Sequence, residues 1–129
     1  MVNGGEPHND NKSLGERGEA IAEAYLKGQK FIIVERNFRC KCGEVDIIAR
    51  DGRSFVFVEV KTRRTLSFGP PQLAVTPFKQ RQISKAALTW LAKNRLQEAN
   101  ARFDVIAILL REYQVPEIEH IRNAFDLAY

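Results

Sequence analysis

Cysteine and histidine are scarce in this 129-residue chain, at two of each, and the cysteines are spaced as Cys40-Lys41-Cys42. One such pair builds no disulfide framework. With His8 and His120 far off in sequence, it also lacks the second pair of ligands that zinc requires. Two histidines starve any Ser-His or Cys-His mechanism, and neither a P-loop nor a Gly-x-Gly-x-x-Gly fingerprint occurs, so no nucleotide cofactor is expected. No apolar run approaches the roughly 18 to 20 residues of a membrane span. The first 13 residues, Met1 to Ser13, contain no apolar stretch of the secretory kind and read as a flexible tail. These absences leave a cytoplasmic protein with one domain over residues 14–129 as the expectation, since this length supports a single modest core.

Hydrophobic residues make up 44% of the chain, which argues against disorder. The net charge of +4 is unevenly spread. Residues 1–26 and 103–129 each hold two bases and five acids, whereas residues 27–102 hold 16 bases and six acids, a local charge of +10. A basic middle between acidic flanks favours a polyanionic partner, because each neutralised phosphate releases counterions whatever the base sequence. Nucleic acid is the leading candidate; a merely solvating surface is the plainer alternative.

Leu14, Gly18, Ile21 and Tyr25 follow helical spacing, with Ser13 as cap and Gly28 as stop, and predict a helix over 14–27. Phe31 to Val34, continuing toward Phe38, reads as a strand. Gly43 to Arg50 and Ser54 to Lys61 flank Asp51-Gly52-Arg53, a hairpin signal. Thr76-Pro77 starts a second helix whose apolar stripe is Ile83, Ala86, Ala87, Trp90 and Leu91. Phe103 to Leu110 reads as a strand buried on both faces, and Glu117 to Phe125 as a last strand or helix. The order αβββαβ predicts an α/β fold with a mixed central sheet flanked by helices.

The chemistry concentrates on the two arms of the hairpin. Alternation sets Val45, Ile47 and Ala49 on one face of the first arm and Glu44, Asp46, Ile48 and Arg50 on the other; on the second arm Val56, Val58 and Val60 oppose Phe55, Phe57, Glu59 and Lys61. Burying the aliphatic sets together forces Asp46, Glu59 and Lys61 onto the opposite face, and permits a register with Asp46 directly across from Glu59 or one with the pair diagonal. Two carboxylates so close repel unless a divalent cation is shared between them. Mg²⁺ or Mn²⁺ suits such a site, where bound water is acidified and a phosphoryl oxygen polarised. Lys61 would orient the attacking water or offset charge on the phosphate. The plainer alternative is a wet Glu/Lys ladder on one sheet face.

Two more residues lean toward the same place. Glu19 lies nearest the first helix's apolar stripe among the acids around it, and Lys79 falls in the first turn of the second helix on the Ile83 side, beside Gln80. An inward lysine needs a negative partner; otherwise its stem merely covers the helix end. Lys61 to Arg64 together with Lys79, Arg81 and Lys85 brings bases near the acids, where phosphates would be held.

Gly15, Gly18-Glu19, Ala22, Tyr25-Leu26, Asn37, Gly43-Glu44-Val45-Asp46-Ile47-Ile48, Phe57-Val58-Glu59-Val60-Lys61-Thr62-Arg63, Phe68-Gly69, Lys79, Ala86 and Arg102-Phe103-Asp104-Val105 closely resemble the YraN-like family of bacterial proteins. Through the Asp and Glu-x-Lys signature the chain also resembles the wider restriction-endonuclease-like superfamily, which includes archaeal Holliday junction resolvases. That resemblance implies Asp46 and Glu59 as metal ligands, Lys61 as catalytic lysine, Glu19 as the helix carboxylate, and Lys79 or Gln80 as the polar group of the second helix. Val45 stands where the superfamily's Pro-Asp…(Asp/Glu)-x-Lys signature has proline.

Two functions follow. The first is a Mg²⁺- or Mn²⁺-dependent DNA endonuclease acting on branched or otherwise structured DNA in repair or recombination, with Arg63, Arg64, Lys79, Gln80, Arg81 and Lys85 binding nucleic acid; symmetric cutting of a junction would imply a homodimer. The second is a non-catalytic module that grips nucleic acid or a protein partner on the same fold.

Overall fold

A computed structural model describes residues 10–65, 69 and 75–128, with side chains from Leu14 onward. Seven elements follow one another: α1 (Asp10–Gly28), β1 (Ile32–Cys40), β2 (Gly43–Asp51), β3 (Ser54–Arg63), α2 (Pro77–Lys93), β4 (Asn100–Leu109) and β5 (Glu117–Phe125). The last segment is a strand, so its β-branched and apolar positions prevail over the helical alternative. The first helix begins at Asp10, which places Ser13 inside it and not at its cap. Residues 1–9 of the expected tail, and Phe68 of the family-like segment, lie outside the described residues.

The sheet has the order β1-β2-β3-β4-β5. Only β3 and β4 among these neighbours run parallel, and α2 forms the connection between them, as a parallel pair requires. Thr76 caps α2 by accepting the Lys79 N–H at 3.2 Å, and Pro77 occupies the first turn, where its missing N–H costs nothing.

Each sheet face buries one helix. Ala22 and Leu26 of α1 pack with Ile47, Ala49, Val56, Val58, Ile106 and Ile108 on one side. On the other, Ile83, Ala86, Ala87, Trp90 and Leu91 of α2 pack with Ile48, Phe57, Phe103 and Val105. Trp90 is buried and its indole N–H donates to Glu35 Oε1 at 2.9 Å.

The β2–β3 hairpin turns on Gly52 and Arg53, with Asp51 opposite Ser54 and Gly52 at φ +62 in the first central position. A positive φ there is what a II′ turn demands. The ladder runs to Ile47 opposite Val58 and ends there, one residue short of Asp46 and Glu59. One expectation is corrected beyond that point. Val45 leaves the Ile47 face and joins the α2-side core with its partner Phe38, although Arg36 and Ile47 stay on the α1 side. Both strands rotate between these two pairs, where Asn37 adopts φ +55, a left-handed conformation that breaks strict alternation.

Candidate active site

Asp46 sits where β2 rotates and parts from β3. Its Oδ2 accepts the Val60 N–H at 2.8 Å, so a side chain takes the donor that a regular ladder would have used. The carboxyl is pushed up to about 7, first by burial and then by the negative charge of Glu59; the Val60 N–H opposes the shift, Glu19 adds to it and Lys79 opposes it. Glu59, Glu19 and Lys79 thus all act on Asp46 although they come from β3, α1 and α2.

Glu59 is 5% exposed, a buried acid that needs cationic company. Its Oε2 lies 3.5 Å from Lys61 Nζ and 4.0 Å from Lys79 Nζ. These are ion-pair separations and not tight hydrogen bonds, so neither ammonium is committed to the carboxylate by geometry. Lys79, partly exposed in the first turn of α2, brings its Nζ to 4.0 Å from Glu59 Oε2.

Two glycines bring the helices onto this spot. A Cβ on Gly18 would collide with Thr62 Oγ1, so α1 crosses β3 in direct contact one residue from Glu19. A Cβ on Gly43 would stand 2.5 Å from the Gln82 carbonyl oxygen, which presses the start of β2 against α2 one turn beyond Lys79. Glu19 itself holds Arg36 at 3.3 Å, and Arg36 also binds Glu23 at 3.0 Å. The helix carboxylate therefore bounds the site with a partner of its own.

Among the described residues no group of three His, Cys, Asp or Glu side chains gathers at metal-binding spacing. What converges is a pair of carboxylates, oxygen ligands of the kind Mg²⁺ or Mn²⁺ takes one or two of while keeping several waters, with two ammonium groups beside Glu59. The raised Asp46 carboxyl fits the same chemistry, because a divalent charge between the acids would remove the repulsion that burial sharpens.

The other expected contacts scatter. Arg64, Arg81 and Lys85 are exposed. Arg63 is half-buried and its carbonyl accepts the Leu110 N–H at 2.8 Å. Gln80 donates to the Val75 carbonyl at 3.0 Å, fixing the approach to α2. Arg39, near the end of β1, and Lys41, from the β1–β2 turn, share a groove with Glu44, Lys79 and Gln82.

Sequence reasoning missed Arg36 and a buried network on the α1 face. Asp104, fully buried, takes Arg102 at 3.0 and 3.2 Å, His120 Nε2 at 2.7 Å and the Asn123 N–H at 3.0 Å. Burial would raise the Asp104 carboxyl, but His120, Arg102 and the Asn123 N–H outweigh it and hold the group below its ordinary value. Tyr25 Oη lies 3.1 Å from His120 Nδ1, and Arg102 reaches Asp51 at 3.0 Å, so the network fastens α1, β4, β5 and the hairpin turn. An acid inside the apolar run from Phe103 to Leu110 was its signal.

The profile of a family described as "Uncharacterised protein family UPF0102" matches residues 18–108. A UPF0102 protein of Geotalea uraniireducens (strain Rf4) is 75% identical over 124 residues, covering 96% of this chain and 98% of that protein. One from Geobacter sulfurreducens is 63% identical over 125 residues, covering 97% and 98%. A more distant one, from Rhodococcus opacus (strain B4), is 47% identical over 115 residues, covering 89% and 98%.

Proposed function

The chain belongs to the UPF0102 family, the YraN-like proteins, and on that premise we propose that it is a Mg²⁺- or Mn²⁺-dependent endonuclease that hydrolyses phosphodiester bonds in DNA, with branched or structured DNA as its preferred substrate. The observation that carries this reading is the meeting of Asp46 and buried Glu59 with Lys61 and Lys79 where the hairpin opens. Asp46 and Glu59 would hold the ion, which when bound acidifies a water and polarises a phosphoryl oxygen. Lys61, at the edge of the Glu59 carboxylate, orients the attacking water and offsets charge developing on the phosphate. Lys79 approaches from α2 and holds the phosphate against the acids. Val60 fixes the Asp46 rotamer through its N–H, and Glu19 closes the site on the α1 side. Exposed Arg64, Arg81 and Lys85 supply the sequence-independent grip on the backbone.

The test is a panel of duplex, single-stranded, flapped and four-way-junction DNA, with RNA alongside, incubated with Mg²⁺, Mn²⁺ or chelator. Cleavage of at least one DNA is expected, lost with chelator and reduced roughly 100-fold or more in Asp46→Asn and Glu59→Ala, with DNA binding retained. Binding without metal, and no cleavage of any substrate, would replace this reading with the non-catalytic module. Symmetric cutting of the junction would add a requirement for two copies of the chain.

A further inference from the structure

The two cysteines lie in the β1–β2 turn, where Cys40 ends β1 opposite Gly43 and Lys41-Cys42 form the two-residue connection. Their Sγ atoms are 3.0 Å apart, about 1 Å longer than the roughly 2.05 Å of a disulfide bond. A tight turn also brings Cα atoms two residues apart toward the window of about 4.4–6.8 Å that disulfides occupy. We propose that Cys40 and Cys42 form a redox-active dithiol that reacts with low-molecular-weight disulfides and closes into a Cys40–Cys42 bond at the rim of the groove lined by Lys79. This inference does not depend on the nuclease reading.

The two thiols occupy different settings. Cys40 packs against the α2-side core, and its Sγ lies 3.5 Å from the Gly43 carbonyl. Cys42 makes no such core contact among the described residues, and its Sγ lies 3.6 Å from the exposed Thr89 Oγ1 on α2. The Cys42 thiol is drawn below its ordinary value by the Cys40 thiol first and by Thr89 next; burial opposes, and its own N–H and the charge of Lys85 assist. Cys42 is therefore the attacking sulfur and Cys40 the resolving one.

The exchange balances in two steps. The Cys42 thiolate attacks one sulfur of R–S–S–R, forms a mixed disulfide and expels RS⁻. Cys40 then gives its proton to water and attacks Cys42 Sγ, forming the intramolecular bond and expelling the second RS⁻. The dithiol loses two electrons and two protons, and R–S–S–R gains them as two RSH. Because Gly43 follows at once and abuts the Gln82 carbonyl, the bond would stiffen the turn that leads into Gly43-Glu44-Val45-Asp46.

Glutathione disulfide, added to the full chain under anaerobic conditions, is the probe, read by intact mass and by alkylation with N-ethylmaleimide. Wild type should become lighter by two hydrogens and lose both alkylation sites. Cys40→Ser should accumulate a stable glutathione adduct on Cys42, and Cys42→Ser should react roughly tenfold or more slowly. Circular dichroism checks that each variant keeps its fold; the positions are half-exposed and each change is small. Wild-type thiols that stay reduced, adducts that never close, disulfides formed only between two chains, or equal rates in the two variants would each overturn the proposal.

Discussion

A carboxyl that keeps its proton to about pH 7 burdens the folded chain, and Asp46 is that residue. In the unfolded chain the same group ionises near its ordinary value of 3.8. Between those pH values the folded state binds the extra proton, so stability falls as pH rises through the window and stays lower above it. Asp46→Asn keeps an acceptor for the Val60 N–H and removes the charge. It should therefore flatten the decline and raise stability at pH 8, in the absence of divalent metal, by roughly 2–4 kcal/mol. Thermal melts of both proteins from pH 5 to 8 check this, and parallel curves would show that Asp46 carries no such burden. At this scale the sequence was informative where burial forced a choice. Burial of Val56 and Val58 put Glu59 and Lys61 on one face of β3, whereas Asp46 reaches Glu59 from the point where β2 departs from alternation. The sequence was silent on Arg36, since nothing along an exposed strand says which helix acid a long guanidinium will reach.

Elements meet at the site through backbone contact more than through side-chain packing. Gly18 illustrates this, because a methyl there would improve helix propensity by about 1 kcal/mol yet collide with Thr62. Gly18→Ala should cost a net 1–3 kcal/mol, roughly what overpacking costs elsewhere. Adding Thr62→Ala should recover only part of it, since Oγ1 and Cγ2 would go while Cβ stays 2.8 Å from the new methyl. Urea unfolding of the single and double variants measures both; a neutral or stabilised Gly18→Ala would mean that α1 does not rest on β3 in this way. The helices and strands themselves were legible from periodicity, capping and turn residues. The rotation of β1 and β2 was not. Alternation assumes a regular strand, and the left-handed Asn37 with the switch of Val45 to the α2 side is a pairing effect that one strand's pattern does not encode. The start of α1 was also missed, because the residues before Leu14 carry no apolar stripe to mark it.

For the molecule as a whole, the acidic ends and basic middle of the sequence are distributed over both faces of the sheet. No helix among the described residues is long and apolar enough to cross a membrane. The Asp104 network gathers acids and arginines on the α1 face, whereas Arg39, Lys41 and Lys79 line a groove beside the candidate site and Arg81 and Lys85 extend the charge along α2. If that surface holds the DNA backbone, replacing Arg81 and Lys85 by Ala should weaken binding about equally for all sequences and reduce the salt slope by about one for each phosphate no longer neutralised. Anisotropy titrations at several salt concentrations test this, and an unchanged slope would place the DNA elsewhere. Everything proposed for the site requires that Asp46 and Glu59 share a divalent cation. Calorimetric titration of the full chain with Mg²⁺ and with Mn²⁺ at pH 7, in two buffers of different ionisation enthalpy, measures this. One ion should bind per chain, with release of the Asp46 proton, and both signals should vanish in Asp46→Asn. Absence of binding, or equal binding in the variant, would contradict the shared cation.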